Sequence, residues 1–204
     1  MHKLYFKYGA MGSSKTAQAL MCKYNYENKG FKVWLIKPKV DNRYDVNKPV
    51  VQSRIGLKSD CETFTPTDNL KKLFLVKQKQ GYNVVIVDEC QFLTEKQVDE
   101  LKEVTKFAPV LCYGLKTNYL TKLFEGSKRL IEIAESITEI KSVCACGKKA
   151  TMNARIFNGK LVTDGDEIFI GGDESYEGVC YWCYKKLKEE SKKWKNFLRS
   201  LRLL

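Results

Sequence analysis

Histidine is almost missing from this chain: His2 is the only one among 204 residues, and it sits at the N-terminus. A terminal imidazole is poorly placed as a ligand or a base, so histidine-dependent chemistry is disfavoured. Long apolar runs are missing too. No stretch approaches the roughly 18 apolar residues of a membrane span. The opening MHKLYFKYGA shows neither the longer apolar region nor the small-residue cleavage site of a signal peptide. There is no internal repeat and no low-complexity segment. With 44% hydrophobic and 29% charged residues, the composition is that of a soluble globular protein, read here as cytoplasmic. The length suits one good-sized core with a small appendix.

What the chain does have is eight cysteines and a net charge of +12. Cys22, Cys61, Cys90 and Cys112 are scattered singly, as small buried hydrophobes are. The other four form two close pairs, Cys144/Cys146 and Cys180/Cys183. In a reducing compartment such pairing points to metal rather than disulfide. Four thiolates match a closed, structural tetrahedral Zn²⁺ site. Cys144-x-Cys146 is tighter than the usual Cys-x-x-Cys and demands a particular turn. The positive charge raises nucleic acid as a partner, but it is unevenly placed. The segment 185–204 holds eight Lys or Arg against two Glu, half of the net +12. Such a basic helix is more often a solvated face, and no specific nucleic-acid partner is expected.

Short β-branched and aromatic runs alternate with helical patterns, which predicts a parallel sheet with crossover helices. Strands are predicted at Leu4–Tyr8, Val33–Ile36, Val84–Val87 and Val110–Tyr113, and helices at Lys15–Asn28, Asp68–Gln80 and Thr94–Phe107. Thr94 with Gln97 has the form of a capping box. After Ile140 the chain turns rich in Gly, Asp and Cys, with short strand-like pieces at Ala154–Phe157 and Glu167–Ile170. Tyr184–Arg202 reads as a basic amphipathic helix.

Gly9-Ala-Met-Gly-Ser-Ser-Lys15-Thr16 follows a strand and opens a helix, the setting a phosphate-binding loop requires. Its N–H groups and the helix N-terminus favour phosphate. Lys15 would bridge the β- and γ-phosphates of ATP, and Thr16 would hold Mg²⁺. Ser14 stands where a glycine is usual, and is tolerated if its φ is negative. Val84-Val-Ile-Val-Asp88-Glu89 then delivers carboxylates to the edge of a central strand, where ligands of open α/β sheets gather. Asp88 would hold Mg²⁺. Glu89 is the candidate base for a substrate hydroxyl.

Taken together, Gly9-x-Met11-x-x-Ser14-Lys15-Thr16, Pro38-x-x-Asp41-x-Arg43-Tyr44, Ser53-Arg54-Ile-Gly56, Asp88-Glu89-x-Gln91-Phe92 and Tyr113-Gly-Leu-x-Thr-x-Tyr119 resemble the type II thymidine kinases. The order continues through Phe124-Glu-Gly-Ser127, the two cysteine pairs and Ile170-Gly-Gly172-x-x-x-Tyr176, so the resemblance spans roughly residues 3–185. It implies an α/β fold, a P-loop (Rossmann-like) parallel-sheet domain with a small zinc-ribbon lasso domain, usually in a homotetramer. It implies γ-phosphoryl transfer from ATP-Mg to thymidine or deoxyuridine, with dTTP as inhibitor. By that resemblance Glu89 is the base. Gly9, Gly12, Ser13, Ser14, Lys15, Thr16, Asp41, Arg43 and Asp88 serve ATP and its metal. Met11, Gln91, Phe92, Tyr119, Phe124, Ile170, Gly171, Gly172 and Tyr176 serve thymidine. Tyr119 departs from the phenylalanine common in relatives, and its hydroxyl needs a partner.

The expected organisation is a kinase domain at 1–140, a zinc-ribbon lasso at 141–184 and a basic tail at 185–204. Two rival readings stand beside it. One is a P-loop ATPase acting on nucleic acid, whose turnover would respond to DNA or RNA and ignore thymidine. The other is a zinc-dependent binding module with a vestigial phosphate loop, which would fail to bind ATP.

Overall fold

The strands predicted at Leu4–Tyr8, Val33–Ile36, Val84–Val87, Val110–Tyr113 and Ala154–Phe157 form, and further short strands join them. β1 (Leu4–Tyr8), β2 (Val33–Pro38), β5 (Glu62–Phe64), β6 (Val84–Val87), β7 (Val110–Gly114) and β8 (Ser136–Glu139) make one sheet in the order β5-β2-β6-β7-β1-β8. Every pairing in it is parallel. A computed structural model describes residues 1–41, 48–163 and 176–201. The predicted strand at Glu167–Ile170 lies outside them. β3 (Val50–Gln52) and β4 (Lys58–Asp60) form a separate two-stranded hairpin.

The apolar runs explain why this sheet is covered on both faces. Side chains alternate along a strand, so Val85 and Val87 of β6 point one way and Val84 and Ile86 the other, and all four are buried. The first set packs with Trp34 and Ile36 against α2 (Leu70–Lys79), α3 (Glu95–Val104) and α4 (Glu125–Ile133), through Phe74, Leu101 and Leu130. The second set packs with Leu35 and Leu111 against Ala19 and Leu20 of α1 (Lys15–Glu27). A run with no polar alternation is what a strand buried on both sides demands.

Helix ends follow their caps. Thr94 accepts the Gln97 N–H through its hydroxyl, and the Gln97 side chain accepts the Thr94 N–H, each at 3.2 Å. The capping box predicted from sequence therefore starts α3. Asn69 rather than Asp68 caps α2, its Oδ1 accepting the Lys72 N–H at 2.8 Å, while Asp68 accepts the Thr65 N–H instead. The predicted helix start moves by two residues for that reason.

The chain divides into two compact units: Met1–Gly9, Ser14–Lys116 and Leu123–Ile140 in one, and Ala10–Ser13, Thr117–Lys122 and Lys141–Leu204 in the other. The second holds an antiparallel sheet in the order β10 (Lys160–Leu161), β9 (Met152–Phe157), β11 (Tyr176–Val179), followed by α5 (Tyr181–Leu201). On α5 Tyr184 and Ser191 are buried, while Lys185, Lys186, Lys188, Lys192 and Lys193 are exposed. The basic face is the one turned to solvent.

Phe74 is 0% exposed and its ring centroid stands 6.3 Å from that of Trp34. Phe74→Ala should cost about 3–5 kcal/mol, the lost transfer energy plus the cavity left behind. Urea unfolding would measure it. A loss below about 1 kcal/mol would mean that α2 is not anchored through this ring.

Candidate active site and metal centre

Strand β6 ends at Val87, so the next two residues are presented at the C-terminal edge of the sheet. The Asp88 N–H continues the β-pairing by donating to the Ile36 carbonyl at 2.9 Å, which fixes where its carboxylate emerges. The Thr16 hydroxyl donates to Asp88 Oδ2 at 3.1 Å and lies 3.4 Å from Oδ1. The two groups expected to hold Mg²⁺ are thus side by side. A hydroxyl and a carboxylate are hard oxygen donors, suited to Mg²⁺ that keeps waters and phosphate oxygens as its other ligands.

Lys15, the first residue of α1, is buried. Burial pushes its ammonium below the ordinary lysine range, and the Glu89 and Asp88 carboxylates pull it back up. Desolvation disfavours the charge and the paired anions favour it. The Lys15 cation therefore faces two carboxylates in a low-dielectric setting.

Glu89 holds a left-handed backbone, φ 52 and ψ 40, at the start of a 3₁₀ turn over Cys90–Phe92. For a residue with a Cβ that conformation costs about 1–2 kcal/mol, and such strain concentrates at functional positions. Gln91 Nε2 donates to Glu89 Oε2 at 2.5 Å, and Gln91 Oε1 accepts the Leu115 N–H at 3.0 Å. Gln91 is assigned to thymidine by the resemblance; here both ends of its amide are used to orient Glu89 against β7. Gly114 makes this possible, because a Cβ there would stand 2.6 Å from both Cys90 Sγ and Gln91 Oε1. Phe92 and Phe124 meet edge to face with centroids 5.9 Å apart.

Ser14 corrects the sequence reading. Its φ is +61 and ψ 26, left-handed, with no side-chain cap hydrogen bond. The loop does not use a helix-starting serine with negative φ; it imposes the glycine conformation on a serine. The Ser14 carbonyl still accepts the Gln18 N–H at 3.0 Å, so α1 begins in the ordinary way from this strained position.

One functional candidate escaped the sequence reading. Lys37 of β2 is 3% exposed and pairs with Asp41, also buried, at 3.4 Å. The signal was available: a lysine inside the otherwise apolar run Val33–Pro38. Burial pushes the thiol of nearby Cys61 up to about 12, with Lys37 opposing. Arg43, Ile170, Gly171 and Gly172 lie outside the described residues.

In the second unit the four paired cysteines converge. The sulfurs of Cys144, Cys146, Cys180 and Cys183 all lie within 4.8 Å of one another. A tetrahedron with metal–sulfur bonds of about 2.3 Å has edges near 3.8 Å, so the cluster fits a single ion such as Zn²⁺. The tight Cys144-x-Cys146 spacing is accommodated by a turn in which the Gly147 N–H donates to the Cys144 carbonyl at 2.8 Å, with Gly147 at φ 82. Backbone N–H groups draw the Cys144 thiol down to about 7 and lower that of Cys180 as well. Hydrogen bonding among the sulfurs, first with Cys146, pushes Cys183 up to about 12. A metal replacing the shared protons relieves that competition.

Tyr119 and Tyr176, both assigned to thymidine, also fall in this unit, edge to face with centroids 6.5 Å apart. The Arg155 guanidinium lies 5.5 Å from the Tyr119 ring centre, and the Tyr184 hydroxyl donates to the Tyr119 carbonyl at 2.7 Å. Met11 is held here as well, its N–H donating to Asn153 Oδ1 at 2.9 Å.

A strand–loop–helix carrying Lys15 and Thr16, with paired acids at the end of a central parallel strand, defines an α/β P-loop protein. The thymidine kinase family model matches residues 2–184. The thymidine kinase of Legionella pneumophila (strain Lens) is 44% identical over 191 residues, covering 91% of this chain and 90% of that protein. That of Shewanella oneidensis is 40% identical over 184 residues, covering 88% and 95%, and that of Vibrio parahaemolyticus 40% over 190 residues, covering 91% and 98%. The chain belongs to the thymidine kinase family.

Ser14→Gly should raise stability by about 0.5–1 kcal/mol. It removes a left-handed penalty of about 1–2 kcal/mol and adds about 0.5–1 kcal/mol of unfolded-chain entropy. Urea unfolding and ATP titration would check it. Destabilisation, or loss of ATP binding, would assign the serine hydroxyl a role of its own.

Proposed function

We propose that this chain transfers the γ-phosphoryl group of ATP to the 5′-hydroxyl of thymidine, giving dTMP and ADP. Membership of the thymidine kinase family supports the substrate. The observation that carries the chemistry is the group at the end of β6: Thr16 and Asp88 in contact, Lys15 buried beside Asp88 and Glu89, and Glu89 oriented by Gln91.

In the proposed step Glu89 accepts the proton of the 5′-hydroxyl as that oxygen bonds to the γ-phosphorus. The bond from γ-phosphorus to the bridging oxygen breaks, and the electron pair leaves on ADP. Lys15 offsets negative charge on the phosphates, which is where most of the protein's contribution to phosphoryl transfer lies. Mg²⁺ arriving with ATP would spread charge over the β- and γ-oxygens, with Thr16 and Asp88 as its protein donors. Asp41 and Arg43 serve the same end of the nucleotide. Met11, Gln91, Phe92, Tyr119, Phe124, the segment 170–172 and Tyr176 serve the thymine. The four cysteines hold structural zinc.

The finer reading follows the resemblance: deoxyuridine as a second acceptor, dTTP as inhibitor, a homotetramer, and residence in the cytoplasm. A transfer assay with γ-labelled ATP against a panel of nucleosides tests the function. Label should appear on thymidine. ATP turnover stimulated by DNA and indifferent to thymidine would overturn the proposal in favour of a nucleic-acid ATPase.

Glu89→Gln keeps the shape and the backbone penalty but removes the base. It should lower kcat by about 10²–10⁴-fold while ATP and thymidine affinities stay near normal. Turnover close to the unmodified protein would remove Glu89 from that role.

A further inference from the structure

Met11, in the middle of the phosphate loop, is gripped at both ends of its backbone by one cross-strand pair. Asn153 of β9 and Gly178 of β11 are direct partners in the antiparallel register. Asn153 Oδ1 accepts the Met11 N–H at 2.9 Å. The same amide donates through Nδ2 to the Thr117 carbonyl at 2.7 Å. Asn153 is 3% exposed, and the two bonds reach across 142 and 36 residues of sequence. Among short side chains only asparagine offers an acceptor and a donor on one small planar group. Aspartate would keep the first bond and set an oxygen against the Thr117 carbonyl, and leucine would lose both.

Gly178 supplies the other half of the grip. A Cβ there would stand 2.5 Å from the Met11 carbonyl oxygen and 3.3 Å from the Ala10 Cβ. Its φ is not among the positive ones, so the glycine answers a need for space and not for an unusual dihedral. The loop backbone lies against the strand where the side chain would be. Two residues further along, β11 has ended and Cys180 of the metal cluster follows.

The consequence for the loop is specific. With the Met11 N–H committed to Asn153 and the Ser13 N–H donating to the Ala10 carbonyl at 3.2 Å, Ala10–Ser13 is a closed turn held from outside. Ala10 is the one residue of this turn that packs in the second unit's core, beside Ala150 and Val179, and Gly12 sits at φ 74, so the backbone between Met11 and Ser13 takes its shape from these hydrogen bonds. We propose that Asn153, with Gly178 across from it, is a positioning residue for ATP: it shapes the N-terminal half of the phosphate loop without touching the nucleotide.

The inference rests on the reading of Gly9–Thr16 as the ATP loop, so Lys15→Ala is measured alongside. ATP affinity and KM would be determined for zinc-replete Asn153→Ala and Gly178→Ala, with thermal melting on the same samples. Asn153→Ala leaves the buried Met11 N–H and Thr117 carbonyl without their partner and lets the turn relax, so it should raise the ATP dissociation constant about tenfold, with the ATP KM following. Gly178→Ala deletes no hydrogen bond and should weaken ATP in the same direction by pushing on the Met11 carbonyl. A residue with only a structural role would lower the melting temperature and leave the ATP affinity of the folded protein unchanged. ATP affinity within twofold of the unmodified protein, in either variant that still melts cooperatively, overturns the proposal. If Lys15→Ala also binds ATP normally, it is the loop reading that has failed. If only Lys15→Ala loses ATP, the loop reading stands and the Asn153 proposal alone falls.

Discussion

Burying the Lys15 ammonium would carry a desolvation cost of several kcal/mol if it faced only apolar neighbours. It faces Asp88 and Glu89 instead, and much of the first unit is arranged to keep that so. The two carboxylates stand where they do because β6 is the apolar central strand of a parallel sheet, and its last pairing, Asp88 N–H to the Ile36 carbonyl, sets their height. Lys15 stands where it does because α1 begins there. The left-handed Glu89 and Ser14 are the local penalties of bringing these groups together. Both stay in place because the sheet and helices around them are packed on both faces.

The second unit solves a different problem. Its core is small, built from residues such as Ala150, Ala154, Leu161, Val179 and Tyr184, and its sheet has three short strands. Apolar burial of that size holds little by itself. A metal held by the four converging cysteines would cross-link Cys144/Cys146 at one end to Cys180/Cys183 at the other, with the whole of the three-stranded sheet between them. The hydrogen bonds of Asn153 and of the Tyr184 hydroxyl then attach two short segments, Met11 and Thr117–Tyr119, to that frame.

Residues such as Lys37 and Asn153 show where reading along the chain stops. Lys37 is a cation in an apolar strand, a visible local conflict, yet its meaning depends on Asp41 folding back to meet it. Asn153 gives no local signal, because its partners are 142 and 36 residues away. The identity of Gly178 looks like an ordinary strand glycine until the Met11 carbonyl is placed against it.

Properties set by neighbours in sequence were therefore legible from the residues alone. They include the strand–loop–helix of Gly9–Thr16, the buried run Val84–Val87 with acids at its end, the Thr94–Gln97 cap, and the two cysteine pairs. Each depends on periodicity, on a hydrogen bond within one turn, or on spacing, and none needs a distant partner. Tertiary structure alone decided the φ of Ser14, the engagement of Gln91 with Glu89, and the attachment of Ala10–Ser13 to the cysteine-bearing unit. These are long-range outcomes: a backbone angle, a side-chain partner and a loop's allegiance are set by whichever contact compensates the local cost, and that contact comes from far along the chain.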